Sequence, residues 1–328
     1  LFLFITLLVN NRVRIEALVW AILLGISAYA AMEAVKFILS AGSHRIVGRA
    51  GIIEDRNDIA VAINMCLPLV IYLWSITKNK WLKQGLLALT LLNVVAIVGT
   101  YSRGGFIGLS ILLLAIWLHS NKKFIFLLLA LMVLPVAISF APEDWIERQN
   151  TIETAVTEDG SFIGRLWAWK IATLIALDNP LTGGGFKATT DQVLWHTYAP
   201  LTPDFGPVAT PPIPPTVRPK AAHNIYFQVL ASSGFVGLFI FLMILLSGLL
   251  VSRNIAKRAK ALNVEWCKNL ANGITLTLIG YGITGLNVSL AYFDLLYAIL
   301  GLICMLKLEI SKIEEQQLVQ DQAVKNHS

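Results

Sequence analysis

Apolar runs of about 20 residues recur along most of this chain, and that recurrence limits the fold more than any single motif does. Runs such as QGLLALTLLNVVAIVG and LSILLLAIWLH follow one another with only a few polar residues between them. The chain has 328 residues, is 56% hydrophobic and 14% charged, and has a mean hydropathy of +0.68, which excludes an ordinary soluble domain. The reading is an all-α polytopic membrane protein. Spans are expected at about 15 to 40, 58 to 77, 84 to 101, 104 to 120, 123 to 141, 230 to 252, 270 to 288 and 291 to 307. With the opening stub LFLFITLLV that makes about nine. The stub reads as the tail of a truncated span or as a short first helix, because it lacks the basic start and small-residue cleavage site of a signal peptide.

Lysine and arginine near span ends stay in the cytoplasm. Under strict alternation Arg12 and Arg14, Lys78, Lys80 and Lys83, Lys122 and Lys123, and the group Arg253, Lys257, Arg258, Lys260 and Lys268 fall on one side. That side is read as cytoplasmic, leaving 41 to 57, the connection at Arg103 and the segment 142 to 222 outside. The expected organisation is N-terminal membrane helices over 1–141, a large periplasmic loop over 142–222, C-terminal membrane helices over 223–307 and a cytoplasmic tail over 308–328. The net charge of +6 is largely explained by the cytoplasmic loops and does not point to nucleic acid. Cys66 and Cys304 lie in expected spans and Cys267 lies inside, so no external disulfide or CxxC metal site is expected.

The segment 142–222 is too long for a connector. Within it, SFIGRLWAWKIATLIALD reads as a helix at the outer interface, with Trp167 and Trp169 among the apolar residues around Arg165 and Lys170. In NPLTGGGF the three glycines allow close backbone approach or positive φ. PLTPDFGPVATPPIPPTVRP is an extended, partly stiff flap, since its prolines bar helix and central strand. KAAHNIYFQVL then carries His223 to the mouth of the next span.

Three outer residues are candidates for chemistry. An arginine at a span end ordinarily snorkels to headgroups. Arg103 is more constrained, because its connection is short and burying its charge costs on the order of 3 kcal/mol on insertion scales unless an anion meets it. Arginine's planar fork matches phosphate oxygens in bidentate fashion. Arg165 is either a solvated charge or an anion contact strengthened by the apolar surface around it. His223 is either structural or a base, since an imidazole titrates near neutral pH. His44 and His196 also lie outside, so composition does not choose among the three. The sequence has no DxD, HExxH or Walker A pattern, so no metal and no cofactor is expected. Glu33 and Lys36 are expected to satisfy each other across one helical turn.

TYSRGG at a span junction, GRLWAW and NPLTGGGF in a large outer loop, and AHNIYFQVL leading into GFVGL together resemble the O-antigen ligase family of bacterial membrane enzymes, which includes polymerase-like members. EDRNDIAVAINMCLPL, residues 54 to 69, is most similar to the branch described as O-glycosylation ligases of the exosortase A system. The resemblance spans about residues 45 to 300, and it implies a multi-pass inner-membrane enzyme with its active face in the periplasm. It implies transfer of a glycan from an undecaprenyl diphosphate carrier to an acceptor hydroxyl of a lipid, protein or glycan, without metal. Arg103 and Arg165 would hold the diphosphate, and His223 would be the catalytic base. Ser102, Lys187, Arg56 and Asn224 are weaker candidates for contacts. The family usually has about twelve spans, and the proline-rich stretch 200–219 has no counterpart that we match. The rivals are a polysaccharide polymerase of the same family, a non-catalytic carrier or transporter of lipid-linked glycan, and a structural subunit of an envelope assembly.

Overall fold

A computed structural model of the chain describes residues 1–49, 51–119 and 160–327. The span expected at 123 to 141 and the acidic stretch that opens the outer segment lie outside the described residues. The α-helices are α1 (Phe2–Leu8), α2 (Arg12–Leu39), α3 (Arg56–Ile76), α4 (Lys80–Gly99), α5 (Arg103–His119), α6 (Gly160–Asp178), α7 (Gln192–Tyr198), α8 (Ile225–Ala261), α9 (Glu265–Thr284) and α10 (Asp294–His327). No strand occurs among the described residues. Four of these helices, α2, α3, α4 and α8, are long and apolar enough to cross a membrane, and α5 adds a shorter apolar stretch, Arg103–Trp117. The chain is therefore a helical membrane protein.

Helix starts follow from side-chain caps. Asn11, Asp55 and Asn79 each accept a backbone N–H from the first turn of α2, α3 and α4. In α3 most of the apolar window is buried, whereas less than a third of that window is buried in α2, α4 and α8, so α3 is the buried helix of its group. Pro68 removes one backbone donor inside α3. Thr277 of α9 donates to the Met65 carbonyl nearby at 2.8 Å. Gly273 brings α9 close to the Pro68 carbonyl, which would lie 3.3 Å from a Cβ at that position. A threonine and a glycine of α9 thus pack directly against α3 at the proline.

The described residues form two compact units, one of 1–119, 245–282 and 292–327, the other of 160–244 and 283–291. In the first, Glu33 of α2 accepts from Lys36 at 2.6 Å and also meets His44 at 2.7 Å, so the expected pair is a triad. Toward the other end of this unit, Arg258 binds Glu314 and donates to Ser311. That pairing lies in α10 beyond residue 307, where a tail was expected and the helix continues without a break.

In the second unit α6 turns Ile163, Trp167, Ile171 and Ile175 into a small core with Ala188, Trp195 and Tyr198. The apolar side of α6 that was expected to meet the outer interface is used for this core. Lys170 is buried: its ammonium donates to the Thr202 carbonyl at 2.6 Å and to Thr210 Oγ1 at 3.0 Å. Trp167 Nε1 donates to the Pro211 carbonyl at 2.9 Å. Two side chains of α6 thus pin the proline-rich segment, which has no internal ladder of its own.

The expected span at 270 to 288 overran its helix. α9 ends at Thr284, and a 3-10 turn, Gly285–Asn287, passes into extended backbone at Val288. Gly285 permits this, since a Cβ there would lie 2.4 Å from Ile225 Cδ1.

Candidate functional site

The candidate residues fall into two groups, one in each unit. Arg56, Ser102 and Arg103 belong to the first; Arg165, Lys187, His223 and Asn224 belong to the second.

In the first unit the connection from α4 to α5 is three residues, Thr100 to Ser102. Tyr101 makes the reversal in the left-handed region, φ 52°, and its hydroxyl donates to the Gly42 carbonyl at 2.6 Å. Ser102 Oγ accepts from Gly105 N at 3.1 Å, capping α5, and donates to Asn57 Oδ1 at 2.8 Å. Arg103 is the first residue of α5 and is half-buried. The second glycine of SRGG serves packing rather than ligand access: Gly105 is buried, and a Cβ there would lie 2.7 Å from Ala60 Cβ. Asn64 seals the same crossing, its amide donating to the Ala60 carbonyl at 2.9 Å and the Gly105 carbonyl at 3.1 Å. Arg56 opens α3 and lines a recess of about 550 Å³ with Arg45, Val47, Glu54, Asp55 and Asp58.

In the second unit Arg165 and His223 are fastened to one short segment. Arg165 Nη1 donates to Asn287 Oδ1 at 3.2 Å, and His223 N donates to Ser289 Oγ at 2.9 Å. The segment is itself tied to α8, where Gln228 Oε1 accepts from Ala291 N at 2.9 Å. His223 holds φ at 45°, an uncommon conformation for a residue with a side chain, and such outliers gather at functional sites. Trp169 fixes the approach: its Nε1 donates to the Ala222 carbonyl at 2.7 Å, and its ring stacks on Phe227 with centroids 5.1 Å apart. Asn224 is buried, and its side-chain oxygen accepts from Tyr226 N and Phe227 N, so it caps α8.

Lys220, the first residue after the proline-rich flap, joins this group. Its ammonium lies over α6, 2.6 Å from where a Cβ on Gly164 would stand, beside Arg165 in the chain. The glycine of GRLWAW is therefore the space that Lys220 occupies. The sequence did not single out Lys220, Asn287 or Ser289. Lys220 opens the stretch that carries His223 and was passed over there, Asn287 was absorbed into an expected span, and Ser289 fell in the gap between two expected spans.

Lys187, at φ 64°, lies in the turn that docks on α8 at Ala231 and Ser232, past the end occupied by His223. That turn bears out the reading of its glycines. Gly184 N donates to the Ala231 carbonyl at 2.8 Å, Gly185 N to the Ser232 carbonyl at 3.1 Å, and Phe235 N to the Pro180 carbonyl at 2.8 Å. Gly183 and Gly185 hold φ at 63° and 85°.

Among the described residues no group of three His, Cys, Asp or Glu side chains is placed to hold a metal ion. The second unit thus carries Arg165, Lys220 and His223 on segments that meet through Gly164, Asn287 and Ser289 near the start of α8.

Residues 86–242 match the model of the family described as O-antigen ligase, and that stretch contains SRGG, GRLWAW, NPLTGGGF and AHN. No curated protein matches the chain.

Proposed function

We propose that this membrane protein, similar over residues 86–242 to the ligase and polymerase enzymes of O-antigen assembly, transfers a glycan from an undecaprenyl diphosphate carrier to an acceptor hydroxyl on the periplasmic side of the inner membrane. The observation that carries the reading is the fastening of Arg165 and His223 to Asn287 and Ser289 within one compact unit. Arg165 and Lys220 bind phosphoryl oxygens of the donor. Arg103 of the first unit is a separate candidate for a phosphate contact. His223 takes the proton of the acceptor hydroxyl while its oxygen attacks the anomeric carbon. The bond from that carbon to the diphosphate breaks, and the electron pair leaves with undecaprenyl diphosphate, whose charge the cations offset. Attack opposite the leaving group inverts the anomeric configuration. General base action of this kind is worth about 10²- to 10⁴-fold. The acceptor is a hydroxyl of a lipid, a protein or a glycan.

The test is glycan transfer in cells lacking the native gene and supplied with His223→Ala, Arg165→Lys or Arg103→Lys, with membrane levels matched. Loss of product with accumulation of the lipid-linked donor in all three is the expected result. Normal product from His223→Ala would overturn the base assignment and favour a carrier that binds the diphosphate without chemistry.

A further inference from the structure

The turn between α6 and α7 docks at a break in α8. Gly234 interrupts α8 with φ 66° and ψ −167°, a conformation open essentially to glycine alone. Such a break leaves carbonyls above it and N–H groups below it without helical partners. The turn supplies them: Gly184 N and Gly185 N donate to the Ala231 and Ser232 carbonyls, and the Pro180 carbonyl accepts from Phe235 N. The fit admits no side chain on either side. A Cβ on Gly183 would lie 2.6 Å from the Ala231 carbonyl oxygen, and one on Gly234 would lie 2.4 Å from the Pro180 carbonyl oxygen.

The depth of this joint follows from the helix below it. At a rise of about 1.5 Å per residue, roughly 28 Å separate Gly234 from Arg253, the first charged residue of α8. That matches the roughly 30 Å hydrocarbon thickness of a bilayer, so the break lies at the interface opposite Arg253. Phe235, Val236, Phe239 and Ile240 just below it are exposed apolar side chains on a membrane-spanning helix.

The turn carries two large and largely exposed apolar side chains: Leu181 is 71% and Phe186 80% exposed. Leu181 follows the residue bonded to Phe235, and Phe186 follows the glycine bonded to Ser232. Both are therefore attached by rigid backbone to the level where lipid-facing residues of α8 begin. Lys187, exposed and next to Phe186, completes an apolar tip with a cation beside it, the chemistry that suits acyl chains under phosphate headgroups.

We propose that the turn Pro180–Lys187 is a membrane wedge: Leu181 and Phe186 insert into the outer interface of the bilayer, Lys187 meets lipid phosphate, and the glycine joint to α8 fixes their depth. This surface is independent of the transferase reading. Its occupant is the lipid bilayer, because the patch continues the lipid-facing side of α8.

The test uses single cysteines at 181, 186 and 239 in a Cys304→Ser background, labelled with NBD and reconstituted in phosphatidylglycerol–phosphatidylethanolamine vesicles. Cys66 and Cys267 are buried, which leaves Cys304 as the exposed native thiol. The expected result is blue-shifted emission at 181 and 186, quenching by 5-doxyl lipid at least twice that by 12-doxyl lipid, and protection from aqueous iodide. Full iodide quenching at 181 and 186, with lipid quenching retained at 239, overturns the wedge and leaves the span intact. Iodide access at all three overturns the wedge together with the spanning of α8.

Discussion

Ser102 Oγ donates to Asn57 Oδ1 at 2.8 Å and joins two motifs that lie 45 residues apart, the start of α3 and the start of α5. The same oxygen caps α5 through Gly105 N. The position of Arg103 is thus set by a cap residue anchored to another helix, not by the short connection alone.

Ser102→Ala should remove both interactions, costing about 1 kcal/mol for the cap and a further 1 kcal/mol or so for the Asn57 oxygen left without its donor. Asn57→Ala should lose only the second part. Thermal melts in detergent of the two single variants and the double variant will give a coupling on the order of 1 kcal/mol, since residues in direct contact are not additive. Additive losses would show that the bond contributes nothing.

The glycine joint makes a sharper comparison. Gly183 and Gly185 both hold positive φ, but nothing lies within 4 Å of a Cβ on Gly185, whereas one on Gly183 meets three backbone atoms at 2.6 Å. Gly185→Ala should cost about 1 kcal/mol, the backbone strain alone. Gly183→Ala should cost roughly 3 kcal/mol or more, because backbone cannot move aside as a side chain does. Expression level and melting temperature of the two variants measure the difference, and equal losses would deny the docking of the turn on α8.

The spans were legible because apolar length is a composition signal: α2, α3 and α4 begin and end within a few residues of expectation. The GGG turn was legible because glycine's freedom leaves a sequence trace. What was not legible depends on pairing across distance. Nothing local to Lys170 says that its ammonium will bind carbonyls of a loop about 30 residues on, nor does Gly164 announce that Lys220 will fill its space. The end of α9 was missed because hydropathy averaging hides Asn287 between apolar neighbours. Among the expected site residues, Ser102 and Asn224 have their side-chain oxygens committed to helix caps, a role their residue types suit equally well.

Tyr198 donates its hydroxyl to Asp178 Oδ2 at 2.7 Å, closing α7 onto the last residue of α6. Burial, then the carboxylate beside it, raises the Tyr198 phenol above its ordinary value. A raised folded value means the protonated form is favoured in the fold, so this stabilisation is complete below about pH 10 and is lost as pH climbs through the raised value. The melting difference between the native protein and Tyr198→Phe should be constant from pH 6 to 9 and shrink above about pH 10. A difference that does not change across that range would place the stabilisation in packing rather than in the hydrogen bond.

Lys220 gives the second-unit site its most direct test, because it can be displaced without being replaced. Its ammonium stands 2.6 Å from the position of a Cβ on Gly164, so Gly164→Ala should push the ammonium off α6 while leaving every charge in the chain. Lysine's stem is flexible, so the fold should tolerate the methyl at a cost below about 1 kcal/mol. If Lys220 and Arg165 bind the donor diphosphate together, Gly164→Ala and Lys220→Met should weaken donor binding alike, by about tenfold or more in KM for the lipid-linked donor. The double variant should be no worse than Lys220→Met, since both changes remove one contact. Donor titrations in reconstituted membranes read this directly. A Gly164→Ala enzyme with unchanged KM beside a weakened Lys220→Met enzyme would mean that the ammonium acts from another position, and the role assigned to the glycine of GRLWAW would fall with it.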